Sequence, residues 1–460
     1  MVETLSWVSI PVQDIGKKMR FDASAYDLNG REAVRLLHET KFSILKLKDF
    51  VESCFYPKRF KRDYVNPDSP KAIGFLGSSE MLDVNPKPLK FLSEYMTDVE
   101  ELKVEVNDIL LSRSGTIGNL CVVNKTLSQY LFSEHSIRIR TKNPGFIASY
   151  LRSNIGQSLI KSNIFGSVVN QIEPFHLLGL DIPNVPQSDI DYLDKKYEDM
   201  NVNLDLANEL EDKAFAILFE ELNGKKFQKE SKKIKEQSLG YKVDSVNINL
   251  RFDASNHNLL VKVADDLLSD ELNYPISNLG EMCEDIILPG RFKRSYVSPD
   301  EGVVFFGGKQ IKQLDPNNKK YLSLTVHGDR IKEQLTLREN MVLVTCSGTI
   351  GKTAFTPKYW NGWAANQHIL RLVFDDPVKA GYIYAYLSSP IGQTYIKRFT
   401  YGSVVDEIDD THISKVSVPI LSDKKMKEIG NLIVQSSNIR NSAYQLLKES
   451  DAYIDNLLKK

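Results

Sequence analysis

Two stretches of the sequence are near copies of each other: RFKRDYVNPDSP at Arg59–Pro70 and RFKRSYVSPDEG at Arg291–Gly302. They begin 232 positions apart, and each combines a basic cluster, aromatic residues and a proline turn. Because further phrases repeat in the same order with an offset that drifts by only five positions, the two halves are predicted to be one domain-sized unit, duplicated. These phrases are RFDAS at Arg20 and Arg251, SGTIG at Ser114 and Ser347, IGQ at Ile155 and Ile391, and GSVV at Gly166 and Gly402.

The composition is that of an ordinary globular protein, with 460 residues, 42% hydrophobic and 26% charged residues, and a net charge of −1. This length allows two or more domains with cores of their own. No apolar run is long enough to cross a membrane and the first residues do not resemble a signal peptide, so we expect a cytoplasmic protein without membrane association. The charge argues against a uniformly basic coat for nucleic acid but permits local basic patches.

Each predicted repeat mixes α-helices and β-strands. The stretches VNDILLSRSGTIGNLCVV and RENMVLVTCSGTIGKTAF predict a strand, a glycine-containing turn and a second strand. After each repeat, apolar residues recur every three or four positions and predict a long helix. The predicted helix-pairing residues are Ile190, Leu193, Tyr197, Leu204, Leu210 and Ile217 in the first helix, and Met426, Ile429, Ile433, Leu446 and Tyr453 in the second.

We therefore predict an α+β fold: a tandem repeat of two mixed α/β domains joined by long antiparallel, coiled-coil-like helices with pseudo-two-fold symmetry. The lysine-rich segment GKKFQKESKKIKEQSLGYK after the first helix is predicted to be a solvated linker, with a phosphate-contacting arm as the alternative. The predicted boundaries are 1–187 for the first domain, 188–236 for the central helix and linker, 237–421 for the second domain and 422–460 for the C-terminal helix.

Catalytic motifs are not recognisable in the sequence. CSGTIGKT at Cys346–Thr353 resembles a phosphate-binding loop, but Cys346 replaces its first glycine and the other repeat has Asn119 in place of the lysine. We therefore favour a hairpin turn at this position. The four scattered cysteines form no CxxC pair, and the aligned histidines His135 and His368 are expected to be structural. We predict a non-catalytic chain that needs no cofactor and no metal.

The basic phrase suits nucleic acid, because its cations can neutralise phosphates while an aromatic ring packs on sugar or base. Its recurrence at one place in both repeats favours a DNA contact over a merely solvated surface. The loops that follow it differ between the repeats, so the two domains are expected to read different bases. The predicted DNA contacts are Arg59, Lys61, Arg62, Tyr64, Ser78, Ser79, Arg113, Ser114 and Thr116 in the first repeat, and Arg291, Lys293, Arg294, Tyr296, Lys309, Gln310, Ser347, Thr349 and Lys352 in the second.

The order of domain, long helix, domain, long helix, with SGTIG hairpins and terminal IGQ and GS elements in both halves, resembles the specificity subunit of type I restriction-modification systems. The resemblance implies two target-recognition domains that read an asymmetric, bipartite site on double-stranded DNA. It also implies paired helices that space these domains and dock two DNA adenine methyltransferase subunits, with a motor nuclease subunit as a further partner. A variant methylation-based phage-defence subclass is a second interpretation, because IPNVPQSDID and VPILSDKKMK lack the Glu-Gln that usually opens each helix.

Two other functions stay open on the residues alone. One is a stand-alone DNA-modifying enzyme with unrecognised motifs. The other is a scaffold protein that does not bind DNA and is built on the coiled helices, with the basic phrases as solubilising surface.

Overall fold

The computed structural model describes residues 9–13, 15, 21, 23–95, 99–166, 170–237, 240, 242–243, 252–316 and 319–459. The chain divides into two compact units, called unit 1 (Met1–Asp205 with Ser442–Lys460) and unit 2 (Leu206–Asn441). Both RFDAS phrases and the first GSVV phrase lie partly outside the described residues.

Helices lie at the start and end of each unit, and the two longest elements of the chain are helices. They are α1 (Leu28–Glu39), α2 (Val99–Leu102), α3 (Pro144–Arg152), α4 (Asn154–Ser162), α5 (Pro174–Leu178), α6 (Gln187–Glu221), α7 (Gly224–Gln237), α8 (Leu259–Asp265), α9 (Leu279–Met282), α10 (Leu324–Arg330), α11 (Pro377–Ser388), α12 (Pro390–Arg398), α13 (Asp410–Ile413) and α14 (Asp423–Leu457).

Short strands form the middle of each unit. They are β1 (Ile44–Lys46), β2 (Val51–Phe55), β3 (Ala72–Leu76), β4 (Lys90–Ser93), β5 (Ile109–Ser112), β6 (Leu120–Val122), β7 (Leu131–Phe132), β8 (Ser136–Thr141) and β9 (Asp181–Pro183) in unit 1, and β10 (Ile276–Asn278), β11 (Asp285–Ile287), β12 (Gly302–Phe306), β13 (Lys320–Ser323), β14 (Val342–Thr345), β15 (Thr353–Phe355), β16 (Ala364–Ala365), β17 (Ile369–Val373) and β18 (Ser417–Pro419) in unit 2.

The strand order is the same in both units. In unit 1 an antiparallel sheet has the order β2-β8-β5-β6, and a second sheet has the order β4-β3-β7 with β3 and β7 parallel. In unit 2 the corresponding orders are β11-β17-β14-β15 and β13-β12-β16, with β12 and β16 parallel. The central strands β5 and β14 are buried along their whole length, as continuous apolar runs between turns predict. The protein is therefore a mixed α and β fold.

The SGTIG phrases form the predicted hairpins, since β5 pairs with β6 and β14 pairs with β15. The turn needs two residues in the left-handed region, and glycine supplies both: φ is 74° at Gly115 and 88° at Gly118. Gly348 and Gly351 repeat these values at 76° and 85°. The repeated motif is thus a backbone requirement of the hairpin, and the predicted hairpin turn is confirmed.

A fully buried arginine joins the two sheets of each unit. Arg138 on β8 donates to the carbonyl oxygens of Phe132 (2.7 Å), Ser136 (2.7 Å), Ser133 (3.1 Å) and Leu102 (3.3 Å). These carbonyls belong to β7, to α2, to the loop after β7 and to the start of β8, so one side chain satisfies backbone groups from several elements.

The second unit repeats this device with Arg371 on β17. Its guanidinium donates to the carbonyl oxygens of Ile369 (2.5 Å), Asn366 (3.2 Å) and Leu335 (3.3 Å), and to that of Ala365. Burial lowers the pKa of Arg138 to about 10 and that of Arg371 to about 9. Neither arginine is conspicuous in the sequence, because in SIRIR and ILRLV each looks like the polar position of an alternating strand.

The helices α6 and α14 each span 35 residues. In unit 1 the hydroxyl of Tyr453 donates to Asp189 (2.6 Å), and Lys196 lies 2.5 Å from Glu449. As the position advances along α6 it retreats along α14, so the two segments run antiparallel in this unit.

The same direction holds in unit 2. Ser436 Oγ donates to the carbonyl oxygen of Ala207 (2.7 Å), and Lys425 Nζ lies 3.1 Å from Glu221. In both units an antiparallel helix pair therefore packs beside the sheets.

The predicted apolar stripe holds for the first turns of α6 and then loses its register. Glu211 and Leu218 are buried in place of the predicted Leu210 and Ile217. The side chains of Leu210 and Ile217 are only half-buried. The buried residues of α6 follow a strict seven-residue repeat. The apolar pattern in the sequence departs from this repeat at Glu211, because that residue is charged. In α14 the same correction applies to Leu446 and Tyr453, which are half-buried beside buried Leu447 and Ile454, and Met426 is half-buried at the helix start.

The lysine-rich segment is a helix and not the predicted linker. Most of it forms α7, in which Phe227 is only 3% exposed and Lys226 lies 2.6 Å from Glu271. The lysines made the segment look fully solvated, although one apolar side of the helix is covered by unit 2. Among the helices that the structure describes, none is long and apolar enough to span a membrane.

Candidate nucleic-acid interface

The basic phrase runs along the edge of the three-stranded sheet in each unit. Tyr64 forms a bridge with Leu92 of β4, and its ring centroid lies 6.3 Å from that of Phe75. In unit 2 Tyr296 bridges Leu322 of β13 in the same manner. Both tyrosines are exposed, at 44% and 41%, so each unit presents an aromatic ring at this edge.

A lysine from the neighbouring strand covers each tyrosine. Lys90 Nζ lies 5.3 Å from the ring centroid of Tyr64, and Lys320 Nζ lies 5.0 Å from that of Tyr296. Such a pair of cation and aromatic ring is suited to a phosphate with its sugar, since the cation meets the charge and the ring meets the apolar face.

The last arginine of the phrase is anchored in both units. Arg62 Nη2 lies 2.7 and 2.9 Å from the two carboxylate oxygens of Glu134, and Arg294 Nη2 donates to the amide oxygen of Gln367 (2.9 Å). Each guanidinium also lies 5.5 Å from a phenylalanine ring centroid of the strand that follows the phrase. The repeated phrase indicates the arginines but not their partners, which lie more than 70 positions further along the chain.

The other cations of the phrase are exposed. Lys61 lies 3.2 Å from Asp63 in an exposed pair, which contributes little. Arg59 and Lys293 are exposed, and Arg291 is exposed at 77% while it donates to Glu407 (2.6 Å). Among the residues that the structure describes, no carboxylate pairs with Arg59 or Lys293.

The start of the SGTIG hairpin lies against this anchor. Ser114 Oγ and His135 Nδ1 are 2.7 Å apart, and His135 Nε2 lies 3.5 Å from Glu134, the partner of Arg62. His135 thus lies between Ser114 and the carboxylate of its chain neighbour Glu134. A chain of polar contacts links the basic phrase to the hairpin in unit 1.

Unit 2 makes the same connection with different groups. Ser347 Oγ donates to Glu407 (3.4 Å), which holds Arg291, and Gln367, the partner of Arg294, lies 3.1 Å from His368. The basic phrase and the hairpin start therefore form one surface in each unit, called the basic edge. It consists of Arg59–Tyr64 with Ser114–Thr116 in unit 1 and of Arg291–Tyr296 with Ser347–Thr349 in unit 2.

Arg113 does not belong to the accessible part of this surface. Its side chain is 5% exposed, ion-paired with Glu173 and placed 3.9 Å from the ring centroid of Tyr56. This placement corrects the predicted phosphate contact, because moving Arg113 to a phosphate would leave Glu173 without its cation. The corresponding residue in unit 2 is Cys346, so the pair is particular to unit 1.

The loop after the basic phrase also differs from the prediction in part. Gln310 turns back and its amide oxygen accepts from the backbone N–H of Gly307 (3.1 Å), as Glu80 does from that of Gly77 (2.7 Å). Gln310 is therefore a loop cap, and its predicted role as a base reader is not supported by its position. Ser79 and Lys309 are exposed beside these caps and Ser78 is half-buried.

The tips of the hairpins are open to solvent. Thr116 and Thr349 are exposed, and their carbonyl oxygens accept from Ser112 and Thr345 at 2.5 Å, which holds the turns in shape. Lys352 is half-buried just after the second turn. Among the described residues no group of His, Cys, Asp and Glu has the arrangement of a metal site.

One family model matches part of the chain. Residues 273–448 match the family model described as the type I restriction modification DNA specificity domain. None of the curated proteins compared with the chain matches it in sequence.

Comparison with solved structures gave the following matches. A type I restriction-modification system S subunit from M. genitalium has 11% identity and a TM-score of 0.33, covering 92% of this chain and 96% of that chain. The HsdS subunit from Thermoanaerobacter tengcongensis has 14% identity and a TM-score of 0.28, covering 91% and 96%. A structure from work on assembly of the type I R-M system has 13% identity and a TM-score of 0.29, covering 91% and 97%. These scores are too low to transfer any property to this chain.

Proposed function

We propose that this chain, whose residues 273–448 belong to the type I restriction modification DNA specificity family, is the non-catalytic subunit that selects the DNA site for a methyltransferase complex. Unit 1 and unit 2 each contain a target-recognition domain, as a tandem repeat with pseudo-two-fold symmetry. Together they read an asymmetric, bipartite site on double-stranded DNA. The chain positions two DNA adenine methyltransferase subunits there, and a motor nuclease subunit is a further partner.

The observation that carries this proposal is the pair of basic edges. In both units an exposed tyrosine, a lysine over its ring and a row of cations lie beside a glycine turn with an exposed threonine. Cations supply phosphate contacts, and turn hydroxyls and backbone N–H groups supply further backbone contacts. A scaffold surface that was only solubilising would have no reason to repeat this geometry.

The differences between the edges support an asymmetric site. Ser79 in unit 1 and Lys309 in unit 2 occupy the same exposed place beside the loop caps. A hydroxyl and an ammonium offer different hydrogen-bonding groups to base edges in the major groove. Two readers with unlike side chains are expected to select unlike half-sites.

The helices α6 and α14 support the proposed spacing and docking. They bury a seven-residue repeat against each other in each unit, and α6 also exposes apolar side chains such as Val202, which is 58% exposed. Apolar groups exposed on a rigid helix are typical of partner-binding surfaces. We place the methyltransferase contact on this side of α6.

The test is the salt dependence of DNA binding by the purified chain. If the basic edges contact phosphates, the logarithm of the association constant falls linearly with the logarithm of the salt concentration, by about 0.9 for each phosphate neutralised. Binding that is absent, or independent of salt, would favour the scaffold. Methyl transfer or cleavage by the chain alone would favour a stand-alone enzyme.

A further inference from the structure

The two basic edges do not neutralise the same arginine. In unit 1 the second arginine of the phrase, Arg62, is ion-paired with Glu134, because both carboxylate oxygens lie within 2.9 Å of its Nη2 atom. In unit 2 the equivalent Arg294 contacts the uncharged amide of Gln367 instead. The equivalence of Glu134 and Gln367 follows from their contacts, since each precedes the histidine that lies at the base of the hairpin.

The first arginine of the phrase shows the opposite assignment. In unit 2 Arg291 lies 2.6 Å from the carboxylate of Glu407. Glu407 bridges the backbone of Ser347 and Tyr401, and in unit 1 the residue that bridges Ser114 and Phe165 in this way is the neutral Gln171. The position that neutralises the first arginine in unit 2 therefore carries no charge in unit 1. A carboxylate and an amide have been exchanged between the two edges.

An arginine held by a buried carboxylate is a poor phosphate contact. Glu134 is only 7% exposed, and transferring Arg62 to DNA would leave that carboxylate buried and unpaired. Burial tends to raise the pKa of Glu134, but the hydrogen bonds from Arg62 and from the backbone outweigh it and the pKa is lowered, so the carboxylate stays ionised at neutral pH. The charge of Arg62 is thus already compensated inside the protein.

The charge of an arginine that is hydrogen-bonded to an amide is not compensated by its partner. Gln367 fixes one nitrogen of Arg294, and the guanidinium has further N–H groups that can donate to a phosphate. The positive field of this edge is felt by His368, whose pKa is lowered first by burial and then by Arg294 and Arg291. Fixing the side chain in advance also reduces the entropy lost on binding.

Resting on the proposed function, we propose that unit 1 presents Arg59 and unit 2 presents Arg294 to a DNA phosphate. Arg62, held by the buried Glu134, is a positioning residue, and the charge of the exposed Arg291 is offset by the neighbouring Glu407. Each unit would then contact its half-site through a different arginine of the phrase, the first in unit 1 and the second in unit 2. This makes Glu134 and Glu407 the residues that select which phosphate each unit contacts.

The test is the salt slope of the full chain on a duplex that carries its methylation site, measured by fluorescence anisotropy. Arg59→Gln and Arg294→Gln should each reduce the slope by about 0.9, the loss of one phosphate contact. The matched variants remove an arginine together with its carboxylate, Arg62→Gln with Glu134→Gln and Arg291→Gln with Glu407→Gln, and should change the slope much less. The opposite ranking would overturn the inference.

Two single changes exchange the assignment directly. Glu134→Gln should release the charge of Arg62 and steepen the slope by about 0.9, and Gln367→Glu should neutralise Arg294 and flatten it by about the same amount. If neither change moves the slope, the carboxylates do not control the contacts and the inference is wrong. Lys195→Gln, which removes an exposed cation on α6, serves as the control for charge alone.

Failure of this inference is distinguishable from failure of the proposed function. If the wild-type chain binds the duplex with a steep salt dependence but the slope follows Arg62 and Arg291, the function stands and the exchange is wrong. If the wild-type chain shows no salt-dependent binding, the proposed function itself fails. Thermal unfolding of each variant identifies any that do not fold, and for these the isosteric Glu-to-Gln and Gln-to-Glu changes give the decisive result.

Discussion

Arg440 on α14 lies 2.7 Å from the carboxylate of Glu211 on α6, between helices of unit 2 where both side chains are largely covered. Asn208 accepts a hydrogen bond from the same guanidinium (2.9 Å), and Tyr384 donates to Glu211 (2.7 Å). Since these groups satisfy one another in only one alignment of the helices, they fix the register of the pair more strictly than interchangeable apolar side chains do.

We expect Glu211→Ala to destabilise the protein by roughly 3–5 kcal/mol, because it leaves Arg440 buried without its carboxylate. The matched control is Glu221→Ala, which breaks the more exposed pair with Lys425 and should cost less than about 1 kcal/mol. Urea unfolding followed by circular dichroism compares the two. Equal losses would show that the buried pair does not fix the helices.

The same pair explains what the sequence could and could not predict about the helices. Apolar spacing located both long helices, but it placed Leu210 and Ile217 in the interface, because the charged Glu211 does not fit an apolar pattern. Glu211 occupies the buried heptad position, and its compensating Arg440 lies 229 positions away. A periodicity argument within one helix cannot detect a charge that is balanced by the other.

At the candidate site, repetition in the sequence identified the basic phrase and the SGTIG turns. It could not identify the groups that anchor them, since Glu134 and Glu407 become neighbours of the phrase only through the sheet. For the same reason Arg113 looked like a surface cation, although Glu173, 60 positions later, holds it below the surface. Local pattern located the motifs, and tertiary packing decided which of their members are accessible.

A second prediction concerns the buried arginine that joins the sheets. Arg138→Met should destabilise the protein by roughly 3–5 kcal/mol, because the carbonyl oxygens of Phe132, Ser136 and Ser133 lose their donor without gaining water. Lys142→Met, just after the same strand and exposed, is the control and should cost far less. Denaturant midpoints measure both, and a small loss for Arg138→Met would contradict the role given to it.

The cysteines should be chemically inert in the folded protein. Burial raises the pKa of each of the four thiols, Cys54, Cys121, Cys283 and Cys346, to about 12. At pH 8 the thiolate fraction is then roughly a thousandfold smaller than for a free cysteine, and the rate of labelling should rise about tenfold per pH unit up to the pKa. The labelling rate is measured from the absorbance of a thiol reagent, with urea-unfolded protein as the reference. Rapid labelling of the native protein at pH 8 would be the contrary result.

A fourth prediction concerns the length of α6. Inserting four residues into both helices, after Asp205 in α6 and after Asn441 in α14, lengthens the pair by about 6 Å and turns the buried face by only about 40°. The helices should still pair, because Glu211 and Arg440 keep their alignment, and the gap between half-sites should grow by at most roughly two base pairs. Inserting two residues turns the face by about 200° and should abolish assembly. Methylation mapping reports the spacer, and unchanged spacing in a well-folded four-residue insertion would rule out a ruler function for α6.

The most direct test of the central claim is to co-express the chain with a type I DNA adenine methyltransferase subunit and to map N6-methyladenine across the host genome. If this chain selects the site, methylation should depend on it and fall in one bipartite motif, with two unlike half-sites separated by a spacer of fixed length. Substituting Arg59 should weaken methylation of sites in which the first half-site is imperfect, and substituting Arg294 should do so for the second. A continuous or palindromic motif, or methylation that is the same without the chain, would show that the chain does not select a bipartite site.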